Sequence, residues 1–398
     1  MADFKEKVLN LHKKNTGKLD ILSNVPLVTQ NDLSMAYTPG VALPCLEIQK
    51  DITKAYDYTI KGKTVAIVTD GSAVLGLGNI GPEASLPVME GKSALLNHFS
   101  GIQAFPIALK TQDPEKIIET IKLLEPNFSA IMLEDISAPN CVYIESRLQK
   151  ELDIPVFHDD QHGTAIVVLA ALINALKIVD KRIEDIKVVV TGLGAAGSAI
   201  IKLLHKLGVK EIYGYDLLGV VTKKKYSKYN FVIKQLIDDK ILKYADESYD
   251  LETLLENKDV FIGVSAKNIL KAHMIQKMNL DPIVFAMANP DPEILPDKAK
   301  EAGVRIIGTG RSDYPNQINN VLVFPGLMKG VLKSRIKTIN DDIKIASAKA
   351  IAKMVPLKEL SEENILPNIF NKDVVKEIEK AILKTLKKDW NQSLNNIF

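Results

Sequence analysis

The stretch from Ile186 to Asp216 constrains this chain more than any other. An apolar run over 186–191 reads as a buried strand and leads straight into Gly192, Gly194 and Gly197, spaced Gly-x-Gly-x-x-Gly. A helical pattern over Ala195–Leu207 follows, and a second apolar run, Glu211–Asp216, closes on an acid. Glycines at that spacing allow a tight turn and a close approach of backbone to a pyrophosphate at the helix start, where Ala195 and Ala196 stand. A carboxylate ending the next strand accepts the ribose hydroxyls of an adenosine half. Strand, turn, helix, strand and acid together define a dinucleotide-binding βαβ unit, whereas the glycine triplet alone is a weak signal. A second triplet, Gly76, Gly78 and Gly81, follows the strand pattern Thr64–Thr69, but Pro82 intervenes and no acid ends the next strand. That copy is expected to be a flexible loop on the substrate side.

Asp216 would repel a 2′-phosphate and favours NAD; Lys223, Lys224 and Lys225 lie just beyond and leave NADP open.

Elsewhere, short β-rich apolar runs alternate with longer helical patterns from Lys63 onward, the signature of parallel sheets with crossover helices. In the first half the strands are expected at Thr64–Thr69, 104–109, 129–133 and 154–157, with helices at Pro114–Leu124 and 139–152. In the second half they are expected at 186–191, Glu211–Asp216, 259–264, 283–288 and 305–308. Residues 163–179 are apolar nearly all round and read as a buried helix. The fold class is α/β: an N-terminal catalytic domain over 1–157 and a doubly wound, Rossmann-type domain over 158–398. The Lys-rich helical patterns after Gly326 are expected to pack back onto the sheets.

A length of 398 residues supports two cores. The 51 basic and 49 acidic residues leave a formal charge of +2 with no long block of one sign, which excludes a nucleic-acid or membrane footprint. Partners are therefore expected to be small molecules or copies of the same chain. Cys45 and Cys141 are the two cysteines, without a Cys-x-x-Cys spacing, which fits a reducing compartment and excludes a thiolate zinc site. Residues 1–15 have no continuous apolar core, so a cytoplasmic location is expected.

In a parallel sheet the crevice lies beyond the carboxyl ends of the strands. Two apolar runs end there in acids: 129–133 in Glu134-Asp135, and 154–157 in His158-Asp159-Asp160-Gln161-His162. Adjacent buried carboxylates repel one another and lose hydration, at several kcal/mol per ion. A divalent cation compensates, and oxygen-only ligands suit Mg²⁺ or Mn²⁺. The alternative is that Asp159 and Asp160 cap the next helix. His158 and His162 straddle a strand-to-helix junction and are read as structural.

Several runs now become specific together. Tyr37-Thr38-Pro39-Gly40-Val41, the loop from Thr69-Asp70-Gly71-Ser72 to Gly78-Asn79, Val88-Met89-Glu90-Gly91-Lys92, Glu134-Asp135, His158 to Ala165, Ala288-Asn289-Pro290 and Asn316 to Gly326 resemble the malic enzyme family in its short bacterial form. The resemblance spans roughly residues 16 to 330. It implies Tyr37 and Lys92 as an acid/base pair, Glu134, Asp135 and Asp160 as metal ligands, and Asp159 as a further catalytic carboxylate. It also implies that Asn289, Asn319 and Asn320 hold substrate or the nicotinamide end, that L-malate is the substrate and that the protein is a homodimer. Apolar segments over 8–11 and 21–28 would supply an interface. One departure stands out: longer members grip a malate carboxylate with an arginine where this chain has Ser72-Ala73. Ser72, backbone amides from Gly76 to Asn79, or a lysine are the expected substitutes. Beside the cation, Lys92 is expected to have a depressed pKa and to act as a base. Rival readings are a malolactic enzyme, an amino-acid dehydrogenase, which would leave the acidic strand ends unexplained, and a nucleotide-sensing regulatory protein.

Overall fold

Six residues without polar/apolar alternation, Thr64-Val-Ala-Ile-Val-Thr69, form a strand buried on both faces, as a central parallel strand must be. This β1 is the middle of a four-stranded parallel sheet with β2 (Gln103–Ala108), β3 (Ala130–Leu133) and β4 (Val156–His158), in the order β2-β1-β3-β4. The helices Pro82–Ser100, Pro114–Leu124 and Asn140–Glu151 connect its strands. A second sheet contains β5 (Lys187–Thr191), β6 (Glu211–Asp216), β7 (Gly219–Val220), β8 (Val260–Gly263), β9 (Ile283–Ala286) and β10 (Ile306–Thr309). Its order is β10-β9-β8-β5-β6-β7, parallel throughout except for the antiparallel β7. The neighbours of β5 are β6 and β8, so the order reverses at β5, and a crevice opens at that switch point. This computed structural model describes residues 2–74, 76–245 and 247–395, apart from the side chains of Ala2 and 388–395.

The helix Thr164–Ile178 buries eleven of its fifteen residues and belongs to a core that also takes in Val65 and Met132 of the first sheet and Val188 and Val190 of the second. Its one buried amide, Asn174, donates to Ala352 O (2.8 Å) and Ile365 O (2.9 Å) and accepts from Lys177 Nζ. Among the described residues, Asp159–Ile178 is the one helical stretch long and apolar enough to cross a membrane, and most of it is buried inside the protein. It is a core element. The helices Phe324–Ser334, Asp341–Lys353 and Asp373–Asn395 pack back onto the sheets; their buried residues Phe324, Ile351 and Ile378 join the same core.

The strands Thr64–Thr69 and Glu211–Asp216 stand as expected, and the other expected strands differ by one or two residues at one or both ends. Where the pattern predicts 154–157, the observed strand is shifted to Val156–His158, because Pro155 keeps its predecessor out of the ladder while His158 pairs with Leu133. The short β7, within the apolar run Leu217-Leu218-Gly219-Val220-Val221, is not among the expected strands.

The N-terminal segment is built differently. Helices Ala2–Asn15, Gln30–Ala36 and Ala42–Lys50 form, the second with a reciprocal Thr29/Asp32 capping box, yet no residue from 3 to 63 is buried. Its ties to the body include Lys18 N to Glu90 Oε2 (3.1 Å), Lys18 Nζ to Pro87 O (2.9 Å), Arg335 to Asp57 (2.6 Å), and Lys61 Nζ to Glu125 O and Phe128 O.

Candidate active site

Register brings the chemistry together. Val68 pairs with Leu133, and Leu133 with His158, so the chain leaves the first sheet at neighbouring points as Asp70, Glu134 and Asp159. Glu134 and Asp135 follow β3 directly; Asp159 and Asp160 open a wide π-type turn, Asp159–Gly163, that leads into the buried helix. Carboxylate oxygens of Glu134, Asp135 and Asp160 lie within 4.8 Å of one another. Asp135 takes a left-handed backbone (φ 54°), unusual away from glycine, and its N–H donates to Asp160 Oδ2 (2.8 Å). Glu134 Oε2 is buried without a hydrogen bond, and burial, with the charges of Asp160, Asp159 and Asp135, pushes the Glu134 carboxyl well up despite Lys92. An orphaned oxygen within a crowded, oxygen-only donor set fits a hard divalent cation such as Mg²⁺ or Mn²⁺.

Lys92, from the middle of the Pro82–Ser100 helix, is deeply buried among these acids. It contacts Asp159 Oδ2, lies 3.0 Å from Glu134 Oε1, and sits over the Phe324 ring at 4.6 Å. Burial alone would lower the ammonium, but Asp159, Glu134 and Asp160 outweigh it and hold Lys92 protonated. That direction is set by the three carboxylates of the protein itself; the depression expected from the sequence belongs to the site with its cation, whose charge would oppose them. Asp159 is fully buried, with one oxygen between Lys92 and Asn320 Nδ2 (2.6 Å) and the other, Oδ1, unpaired; burial raises it in spite of Lys92.

Across from the acids stands the glycine turn. Gly192 has φ 84°, and a side chain there would meet Val264 O at 2.5 Å, so the tight turn requires glycine. A cavity of about 550 Å³ joins the two halves: Asp135 and Asp160 on one wall, Gly194, Ala195 and Ala196 on another, and Asn289, Asn319 and Asn320 along the third. Gly197 is buried one turn into the helix, and Asp216 ends β6, where its Oδ1 accepts from Leu217 N. Of the lysines beyond it, Lys225 is bonded to Leu218 O and Ser248, Lys224 faces Glu247 at 3.9 Å, and Lys223 lies over Tyr244.

Two expected residues are placed otherwise. The Ser72 hydroxyl donates to Asp70 Oδ1 (2.6 Å) and accepts from Ser137 N (2.9 Å), so its donor pins two loops and is not offered to a carboxylate. Tyr37 stands outside this chain's cavity, 66% exposed at the end of the Gln30–Ala36 helix. Gly76 lies at the rim, packed against Asn289 and Pro290.

Nothing in the motif spacing singles out Glu145, which is buried behind the acids. Its oxygens accept from His158 N (2.9 Å) and Gln161 Nε2 (3.1 Å) and meet His162 Nε2 (2.8 Å), so it holds the whole turn that presents Asp159 and Asp160. Burial raises its carboxyl, but His162, His158 and Lys344 outweigh that and lower it. Burial lowers the His158 imidazole against the pull of Asp160 and Glu145; its Nδ1 accepts from Gln161 N, and its Nε2 faces Asp160 Oδ2 at 3.6 Å. One signal in the sequence does exist: Glu145 shares a helix face with Cys141 and Leu148, both buried.

A Rossmann-type sheet whose glycine turn opens onto an acidic cluster defines a two-domain, dinucleotide-dependent dehydrogenase. Comparison with known proteins narrows that class. Residues 16–116 match the malic enzyme N-terminal domain and residues 161–387 the malic enzyme NAD-binding domain, so the chain belongs to the malic enzyme family. It is 54% identical over 381 residues to a bifunctional malic/malolactic enzyme of Bacillus subtilis, covering 96% of this chain and 92% of that one. It is 43% identical to an NADP-dependent malic enzyme of Escherichia coli, of which it spans about half (52%). Solved relatives include the NAD-dependent malic enzyme of Thermotoga maritima (TM-score 0.89, 48% identity, 94% and 98% of the two chains). The malic enzyme of Pyrococcus horikoshii is also similar (TM-score 0.92, 46% identity, 97% and 91%).

Proposed function

We propose that this protein oxidises and decarboxylates L-malate with NAD⁺, and with NADP⁺ as an alternative acceptor, yielding pyruvate, CO₂ and the reduced dinucleotide. The observation that carries this reading is the single cavity lined by both the acidic cluster and the glycine turn. Glu134, Asp135 and Asp160 would hold Mg²⁺ or Mn²⁺, which supplies Lewis-acid polarisation at the substrate oxygens. Asn289 and Asn319 orient malate and the nicotinamide ring; Asn320 fixes Asp159. A nicotinamide held at the glycine turn would supply the hydride acceptor for C2, and the hydroxyl proton passes to the Lys92–Asp159 pair. The C3–C4 bond then breaks, CO₂ departs, and its electron pair moves into the C2 carbonyl to give an enolate. Tyr37 hands a proton to C3, and pyruvate results. In this reading the catalytic domain ends at residue 157, the dinucleotide domain begins at 158, and the protein works in the cytoplasm, where its free thiols stay reduced.

We place Tyr37 in the site of a second copy. It is exposed in its own chain, and it belongs to a segment with no buried residue in which Ile21, Leu22 and Val28 are each more than 80% exposed. Apolar surface of that extent is covered in an assembly. A homodimer exchanging these segments covers it and brings the acid to the partner's Lys92–Asp159 pair.

The test is absorbance of reduced dinucleotide with malate and Mn²⁺, with and without chelator, beside product analysis. Pyruvate formed in step with NADH and abolished by chelator is expected. No malate-dependent signal with either dinucleotide would overturn the reading, and lactate without net NADH would favour the malolactic alternative.

A further inference from the structure

A second buried carboxylate lies on the dinucleotide side. Glu293 is 0% exposed and, among the described residues, has no lysine, arginine or histidine bonded to it. Its Oε1 accepts from Ser265 N (2.9 Å) and lies 3.4 Å from Ser265 Oγ, and its Oε2 accepts from Ala288 N (3.0 Å). Ser265 Oγ in turn is 3.0 Å from Thr191 Oγ1 at the end of β5. Both oxygens are thus met by donors, an arrangement that suits a carboxylate and that an amide side chain cannot copy, because its NH₂ would face an N–H. Space for the carboxylate comes from Gly263, the last residue of β8; a side chain there would collide with Glu293.

The groups it fastens are those that border the cavity. Val264 and Ser265 follow β8, and Met287, Ala288 and Asn289 follow β9; all five line the cavity, and Glu293 is the bolt between the two loops. The Asn289–Pro290 backbone is also the floor on which Gly76 of the first sheet rests, with the position of an added Cβ only 2.7 Å from Pro290 Cδ. On its other side, the Asn289 amide lies against Gly310.

We propose that Glu293 is a positioning residue: by holding the Ser265 and Ala288 N–H groups on one carboxylate, it fixes where Asn289 meets the nicotinamide and substrate and where the Gly76 loop seats. This rests on the reading of Asn289 as a binding residue given above. Burial drives the Glu293 carboxyl up while the N–H donors pull it back, so the group sits under load where a neutral substitute has a different pattern of donors.

Asp259 provides the matched control. It is also buried, also tied to backbone, accepting from Lys187 N (2.8 Å) along with Lys181 and Asn279, and also bridges strands of this sheet, but at their amino ends, away from the cavity. The experiment compares Glu293→Gln, Glu293→Asp and Asp259→Asn as full chains, reading melting temperature, NADH affinity by fluorescence, and kcat and KM for malate. Glu293→Gln is expected to weaken NADH binding and raise KM for malate about tenfold or more, the scale of a lost hydrogen bond to a charged group. Asp259→Asn is expected to lower the melting temperature with kinetic constants unchanged. Glu293→Asp keeps the charge but is one methylene short, and intermediate values are expected. If both Glu293 variants behave as Asp259→Asn does, losing thermal stability but neither affinity nor KM, the positioning role is overturned. The NADH arm reads the clamp without malate, so an unchanged NADH affinity counts against Glu293 alone, whereas wild-type protein that binds NADH and ignores malate counts against the proposed reaction.

Discussion

Residues 3–63 and residues 64–387 follow opposite rules. In the larger region β1, β3, β8, β9 and β10 are buried at every position, and even the acidic groups Glu134, Asp135, Asp159 and Glu145 are buried. In the smaller one, the irregular stretch between the first two helices leaves Ile21, Leu22 and Val28 facing outward, and the helical segments after it leave Leu43 and Ile52 exposed. Short isolated helices are marginal in water, and most helical stability comes from packing an apolar face. The contrast teaches that the chain specifies two kinds of structure, one completed within itself and one that, in the proposed dimer, another copy completes.

The sharpest way to break that contrast is by mixing. Tyr37→Phe and Lys92→Ala alone should each lower kcat by about a hundred- to ten-thousandfold, the usual worth of general acid–base groups. When the two variants are unfolded together and refolded as mixed dimers, a quarter or so of wild-type activity should return if Tyr37 serves the partner's site, since one site in each heterodimer is then intact. Activity that stays at the level of the single variants would put Tyr37 and Lys92 in the same chain. On the buried side, Asp135→Ala should abolish the Mn²⁺-dependent rate; turnover that stays full and equally sensitive to chelator would remove Asp135 from the ligand set. Glu145→Ala, which touches no proposed ligand, should weaken metal affinity about ten- to a hundredfold by freeing the turn that carries Asp160, as read by Mn²⁺ titration. Ile21→Asp with Leu22→Asp should shift the protein to monomer in sedimentation and take activity with it, whereas an unchanged dimer would move the interface elsewhere.

The smallest effect is in pH. The folded Glu145 carboxyl lies below its ordinary value of 4.5 because His162, His158 and Lys344 favour its charge. The unfolded chain therefore takes up this proton first, and the stability from Glu145 is full above pH 4.5 and is lost as pH falls through the lower folded value. Glu145→Gln should be less stable at neutral pH and show a flatter acid limb in denaturant titrations between pH 5 and 3.

The strands and the glycine turn were legible in the sequence because their causes are local. Continuous β-branched runs such as Val188-Val189-Val190 leave little choice of structure, and Gly192 needs only its own backbone angle to be explained. The acids at 134–135 and 159–160 were legible for a similar reason, since strand ends share an edge in any parallel sheet. Lys92 against Asp159, 67 residues apart, and Glu293 between two loops depend on which strands lie next to each other, which no spacing reveals. The Ser72 hydroxyl was open to misassignment because its partners, Asp70 and Ser137, come together only in three dimensions. For Tyr37, in the proposed dimer, the missing information lies beyond a single chain.

The helix that joins the two sheets has a consequence for synthesis. Its backbone caps, Ala352 O and Ile365 O on Asn174, come 178 and 191 residues later in the chain. At translation rates of about 5–20 residues per second, the most apolar segment of the protein emerges roughly ten seconds or more before the residues that cover it. During that interval Asp159–Ile178 is indistinguishable by length and composition from a membrane span. The same stretch that unites the finished enzyme is, in the nascent chain, the one most in need of a chaperone.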